Sequence, residues 1–184
     1  GYSATCMAYG LPEDGHIDTL EINDELEDLM REGWSRAGVA DKITLHIGDA
    51  RETLSTLEGP YDIVYMDANK REYVTYYNLV FDLVRPGGLI LADDVLWDGK
   101  LWQDPVPQDK QTQGIIAFND LIVNDPRVES VLLPLRDGLN VIGNCKLVNQ
   151  EDHDTSRLTG NLYLSHTEGE DAVAGVGFTR TKDG

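Results

Sequence analysis

A chain of 184 residues, 41% hydrophobic and 26% charged, has the size and composition of one globular domain with a single core. No apolar stretch reaches the roughly 18 residues of a membrane span, and 33 acids against 15 bases, a net charge of -18, repel phosphate backbones and argue against tight nucleic-acid binding. Two cysteines, Cys6 and Cys145, far apart and in apolar settings, argue against a disulfide framework or a zinc site and fit a reducing cytoplasm.

The chain opens on Gly1-Tyr2-Ser3 without Met or signal peptide, and reads as a fragment that begins inside a motif. Residues 3–9 read as a short helix closed by Gly10. A strand over 16–22 carries Glu21 near its end, and Asn23 is a candidate N-cap for a helix over 24–37 with Leu26, Leu29, Met30 and Ala37 near one face and Gly38 as its stop. The next strand is 43–47. Gly48-Asp49-Ala50 turns it into a short helix through Leu54 and Leu57, and Glu58-Gly59-Pro60 breaks the chain before a strand that ends at Asp67. A helix over 73–84 follows, ended by Arg85-Pro86-Gly87-Gly88, which permits a reversal into the strand 89–93.

Residues 95–111, with Trp97, Trp102, Pro105 and Pro107, lack periodicity and read as a loop over the site. A helix over 112–124 and two strands, 128–135 and 139–147, joined through Arg136-Asp137-Gly138 as an antiparallel hairpin, complete the periodic part. Strands alternating with helices predict an α/β fold, a doubly wound, mostly parallel sheet covered on both faces. Residues 148–184, rich in Gly, Thr, Asp and Glu with apolar islands at 162–164 and 172–176, read as an atypical tail, a flexible extension or stray strand material, with disorder the favoured reading.

Two strands end on acids: Tyr61 to Met66 on Asp67, and Leu89 to Ala92 on Asp93-Asp94. As parallel neighbours they bring three carboxylates to the edge where open α/β sheets bind ligands, which suits a hard divalent cation. Lys70 lies three residues past Asp67, so a tight turn brings its amine to the same pocket. Each residue has a plainer reading: Asp67 and Asp93 as caps, Asp94 and Glu21 as solvated carboxylates, Lys70 as an exposed partner of Glu72, and Ser3 as an ordinary helix-start serine. Tyr73, Tyr76 and Tyr77, at helical spacing, read as core and surface rather than site, and the four histidines share no ligand spacing.

Eight separated segments, Gly1-Tyr2-Ser3, Leu11-Pro12-Glu13-Asp14-Gly15, Leu20-Glu21-Ile22, Gly48-Asp49-Ala50, Asp67-Ala68-Asn69-Lys70, Arg85-Pro86-Gly87-Gly88, Ala92 through Trp97 and Arg136-Asp137-Gly138-Leu139, resemble in order and spacing the cation-dependent O-methyltransferases of the caffeoyl-CoA and catechol type. The likeness covers residues 1–147, a partial methyltransferase domain. It implies the Rossmann-like class I methyltransferase fold, seven strands with the last antiparallel, and S-adenosylmethionine as cofactor. It also implies Ser3 by the methionine part, Glu21 on the ribose hydroxyls, and Asp49 and Ala50 beside the adenine. A divalent ion, usually magnesium, would sit on Asp67, Asp93 and Asp94, with Lys70 as general base.

Two departures stand out. Asp94 occupies a place where the family usually has Asn. Asn140 falls where the catechol enzymes carry a glutamate for a substrate hydroxyl, which weakens the case for catechol itself. The family's first strand, which lies at the centre of its sheet, would lie upstream of Gly1, so the sheet lacks it unless residues of the tail take its place. The resulting expectation is transfer of a methyl group to a hydroxyl of a catechol-like or hydroxycinnamoyl small molecule, by a chain whose relatives are often homodimers. Three alternatives differ from it: methylation of a hydroxylated tRNA base, disfavoured by the net charge; an inactive cofactor-binding module; and a nicotinamide oxidoreductase, which leaves the paired aspartates unexplained.

Overall fold

Helices and strands alternate along the computed structural model, which describes residues 1–145 and, as backbone, 175–178. The elements are α1 (Tyr2–Gly10), β1 (Ile17–Glu21), α2 (Glu27–Ala37), β2 (Ile43–Ile47), α3 (Ala50–Thr53), β3 (Tyr61–Asp67), α4 (Tyr73–Phe81), β4 (Val84–Ala92), α5 (Lys110–Asn124), β5 (Val128–Leu133), β6 (Leu139–Asn144) and β7 (Gly175–Phe178). Among the described residues these strands form one sheet in the order β2-β1-β7-β3-β4-β6-β5. β1 and β2 pair in parallel, as do β3 and β4, while β6 runs antiparallel to both β4 and β5. The expected α/β sheet with a terminal antiparallel hairpin is therefore present.

The core lies in two clusters. Leu20, Val64, Met66, Ile90 and Ala92 pack against Tyr73, Tyr77, Phe81, Ile115 and Phe118 of α4 and α5, whereas Ile17, Ile43 and Leu45 pack against Ala4, Ala8, Met30 and Trp34 of α1 and α2. Each large side chain so buried contributes about 1.5–3 kcal/mol. Asn23 caps the turn before α2 through its side chain, and Gly38 ends α2 with φ 70, a conformation that costs a glycine nothing.

Local expectations needed correction in four places. The buried face of α2 is Met30 and Trp34, four apart and so stacked on one side; Leu29, about 100° round the helix from Met30, is 68% exposed. Arg85 to Gly88 lie inside β4, not before it, and the register jumps there from Tyr61↔Val84 to Ile63↔Leu89. A bulge of this kind tolerates Pro86 because the ladder is already interrupted. The loop over 95–111 contains the helical turns of Trp97–Trp102 and the first two residues of α5. Cys6 and Cys145 are exposed rather than apolar in setting.

β7 occupies the gap between β1 and β3 and runs antiparallel to both, with Thr19↔Gly177 on one side and Asp67↔Gly175, Met66↔Val176 and Tyr65↔Gly177 on the other. Four residues of the tail thus sit where the sheet would lack a strand, with polarity opposite to its neighbours. They pair backbone groups that β1 and β3 would leave open. The expectation of disorder for the other tail residues falls outside the described residues.

Candidate active site

The parallel strands place the predicted acids on one edge. Met66 pairs with Ala92, so Asp67 and Asp93 leave adjacent strands side by side, and the Asp93 amide donates to the Met66 carbonyl at 2.9 Å. Further along this edge, β1 ends on Glu21, and the Gly48 amide donates to the Glu21 carbonyl at 2.8 Å. That bond ties the end of β1 to the turn carrying Asp49 and Ala50. Glu21, Asp49, Asp67 and Asp93 therefore line the carboxyl ends of four parallel strands, where ligands of such sheets bind.

Lys70 is the hub of the acid cluster. A turn over Lys70–Glu72, capped by the Asn69 side chain, carries it back under Asp67, where it is 1% exposed. Its ammonium donates to Asp67 Oδ1 at 3.2 Å, the Tyr73 hydroxyl at 2.5 Å and the Asp93 carbonyl at 3.1 Å, and lies 3.6 Å from Asp94 Oδ2. A lysine has three N–H donors, and here each has an acceptor. The plainer reading of Lys70 as an exposed partner of Glu72 is thereby overturned. Glu72 lies 4.0 Å from Arg51, which is bound to Asp49 at 2.5 Å.

Gly114 makes this burial possible. A Cβ there would lie 2.4 Å from the Lys70 carbonyl oxygen, so only a glycine lets α5 approach the turn so closely.

Asp93 is held from two sides: Oδ2 accepts the Tyr65 hydroxyl, and Oδ1 the Asp94 amide at 2.9 Å. Asp94 has φ 54, as Trp97 and Asp98 have φ 50 and 56, all in the left-handed region that few non-glycine residues enter. The β5–β6 turn secures this conformation. The Val95 and Leu96 amides donate to the Gly138 and Asp137 carbonyls, and the Asp98 amide lies 2.7 and 2.8 Å from the two Asp137 carboxylate oxygens. From the other side, Asn119 donates to the Val95 carbonyl and Trp97 Nε1 to Thr112 Oγ1, so α5 steadies the loop.

Burial pushes Asp67 above the ordinary carboxylate range; Lys70 opposes the shift, and Asp93 and Asp94 add to it. Burial also raises Glu21 against the pull of the Asn23 and Ile22 amides, and raises Asp137, with Asp94 and Asp98 adding to that rise. Asp49 moves the other way because its hydrogen bonds to Arg51 favour the charged form. The Asn140 side chain is buried in register with Ala92, one residue before Asp93, and its Oδ1 has no hydrogen-bond partner.

Ser3 lies in the first turn of α1, and Ala50 is buried at the start of α3. A cleft of about 430 Å³ lined by Gly1, Tyr2, Thr5, Leu26, Met30 and Trp34, among others, carries none of the acids. Among the described residues no group of three or more His, Cys, Asp or Glu side chains is placed so that it could hold a metal ion. The chemistry of the cluster nonetheless suits a hard cation. Its donors are carboxylate oxygens on one edge, and Asp67 and Asp94 already share a positive charge. Tyr73, one of three tyrosines whose spacing reads as core and surface rather than site, is buried and brings its hydroxyl into the cluster.

The sequence signature of the O-methyltransferase family matches residues 1–145. The chain is 39% identical over 146 residues to catechol O-methyltransferase domain-containing protein 1 of Mus musculus, covering 77% of this chain and 55% of that protein. It is 34% identical over 157 residues to caffeoyl-CoA O-methyltransferase of Eucalyptus gunnii, covering 80% and 63%. The fold matches the O-methyltransferase from Bacillus cereus, solved in complex with SAH, with a TM-score of 0.72 and 29% identity, over 78% of this chain and 69% of that one. The chain thus spans less than two thirds of the length of these two curated relatives.

Proposed function

The chain belongs to the O-methyltransferase family, and from that premise we propose that it serves the transfer of a methyl group from S-adenosylmethionine to one hydroxyl of a catechol-like or hydroxycinnamoyl small molecule, with a divalent cation held by Asp67, Asp93 and Asp94. The observation that carries this reading is the side-by-side exit of Asp67 and Asp93 from adjacent parallel strands, with one buried ammonium between Asp67 and Asp94.

Each residue has a role its chemistry supports. Glu21, buried at the end of β1, accepts hydrogen bonds from the ribose hydroxyls; a carboxylate with few other donors is suited to hold a diol. Asp49 and Ala50 border the adenine, and Ser3 the methionine part. When bound, a divalent cation supplies the charge that makes a phenolic hydroxyl acidic near neutral pH and fixes its angle of approach. Lys70 orients Asp67 by one of its three hydrogen bonds and Asp94 by an ion pair at 3.6 Å. To act as general base it must give up a proton and with it one of those bonds, so the arrangement supports charge-holding more directly than proton abstraction. Asn140, where the catechol enzymes carry a glutamate for a substrate hydroxyl, is in keeping with an acceptor other than catechol itself. Trp97 and the loop around it exclude water.

No described helix is long and apolar enough to cross a membrane. The net charge of -18 disfavours a tRNA acceptor.

Two measurements test the proposal. Calorimetric titration with S-adenosylmethionine should give a binding isotherm; no heat at high protein concentration would favour an inactive module. In the methylation assay, Asp67→Ala should abolish metal-dependent turnover while leaving the far-ultraviolet circular dichroism unchanged. Undiminished turnover in that variant, with a chelator harmless, removes the cation from the mechanism.

A further inference from the structure

Beneath the acids, the Tyr73 hydroxyl stands at the point where β3 and β4 release their chains. It accepts the Lys70 ammonium at 2.5 Å and lies 2.8 Å from the Asp93 carbonyl and 3.0 Å from the Met66 carbonyl, to which its single proton can be donated. The residue is fully buried, and its ring meets Phe118 edge-on at 5.2 Å and 82°, which leaves the hydroxyl no other direction in which to point. Burial, together with the negative charge of Asp67, Asp94 and Asp93, holds its proton on strongly, so it remains a hydroxyl that can accept and donate at once.

We propose that Tyr73 is a positioning residue of this site, fixing the Lys70 ammonium, and through it the Asp67 and Asp94 carboxylates, at the edge where a divalent cation would bind. This rests on the cation reading of the site given above. Lys70 is 1% exposed, so water cannot replace a lost acceptor. Without the hydroxyl the ammonium keeps Asp67 and the Asp93 carbonyl and moves toward Asp94, the remaining acid in reach at 3.6 Å. Asp94 is then tied up by the lysine and drawn from the position it would hold around a cation. The same loss leaves the Met66 and Asp93 carbonyls without this donor, loosening the two strand ends that carry the acids. Groups that hold metal ligands from behind in this way are worth about 10–100-fold in metal affinity.

The test is a titration with manganese ion alone, followed by electron paramagnetic resonance, on the whole chain. Tyr73→Phe keeps the ring and removes the hydroxyl, and should weaken binding at least about ten-fold. Phe118→Leu disturbs the packing of the same ring without touching the hydroxyl; it should lower the melting temperature and leave the affinity as it was. In a double-mutant cycle the tyrosine change should cost little further affinity once Lys70→Gln has removed the group it positions. Equal affinity in Tyr73→Phe and wild type, equal losses in Tyr73→Phe and Phe118→Leu, or additive losses with Lys70→Gln each overturn the role of Tyr73 alone. A wild-type chain that binds no manganese overturns the cation reading, and this inference with it.

Discussion

Apart from Asp49, which Arg51 pairs and holds low, the two edges of the sheet treat their acids in opposite ways. At the edge where the parallel strands begin, Asp62 of β3 meets Arg85 at 2.5 Å, and Asp125, just ahead of β5, meets Arg127 at 2.6 Å and also accepts the Tyr77 hydroxyl. Those side chains form local pairs, and Arg127 holds Asp125 well below the usual carboxylate range. At the edge where the strands end, Lys70 is shared between Asp67 and Asp94, and burial keeps Asp67, Glu21 and Asp137 above that range. One edge has charge arranged for stability; the other keeps carboxylates that would gain from a further positive ligand. Clusters whose environment works against their own ionisation are where binding and catalysis concentrate.

Both edges depend on the seam that joins β1 to β3, and the most disruptive change is aimed there. Gly177→Pro removes an amide from β7 and forces a ring between two strands, where proline is not tolerated. A loss of about 3 kcal/mol or more is expected, read as a collapse of the melting temperature, with the two edges failing together. A variant that melts like the wild type would show that the strand does not hold the halves of the sheet to one another.

The comparison also separates what sequence could and could not reveal. Asp67 and Asp93 were legible because a run of apolar and β-branched residues stopping on an acid is a local pattern, and the helices between such runs force the strands parallel. The hydroxyl of Tyr73 was not: its spacing with Tyr76 and Tyr77 reads only as core and surface, and all three are in fact buried. That its oxygen falls under Lys70 follows from the closeness of α5, set by Gly114 far along the chain. β7 was hidden for a different reason. Gly-Val-Gly-Phe is four residues long with two glycines, too short and too poor in β-branched residues to register as a strand, and it is recruited by the open edges of β1 and β3. The bulge over Arg85 to Gly88 looked like a chain reversal because proline and glycine punctuate both.

Removing one cation from each edge sharpens the contrast. Lys70→Met leaves Asp67 and Asp94 close together without their shared ammonium, and breaking a buried pair of this sort costs about 3 kcal/mol. Arg85→Met breaks a pair in which the arginine side chain is 28% exposed, and should cost about 1 kcal/mol by chemical denaturation. Adding manganese ion should then raise the melting temperature of Lys70→Met by less than that of the wild type, since the ammonium no longer holds the carboxylates in place for the cation. Equal costs at the two edges, with no difference in the response to manganese, would erase the distinction between them.

The smallest effect, and the one that reads both edges in a single experiment, is the dependence of stability on pH. Glu21 and Asp67 have folded values raised above the ordinary carboxylate value near 4, so the folded chain binds their protons more tightly than the unfolded chain does. Their contribution improves as pH falls from neutrality through those raised values, and is complete below about 4. Asp125, lowered by Arg127, works in reverse: its contribution is fully present above about 4 and is lost as pH falls through its folded value. Melting temperature should therefore rise modestly on acidification from pH 7 toward 4 and drop below it. Asp67→Asn should flatten the rise, and Asp125→Asn should soften the drop while leaving the rise in place. If either substitution alters the other limb instead, the two edges are not electrostatically independent, and the division of labour between a settled edge and a ligand-seeking one has to be abandoned.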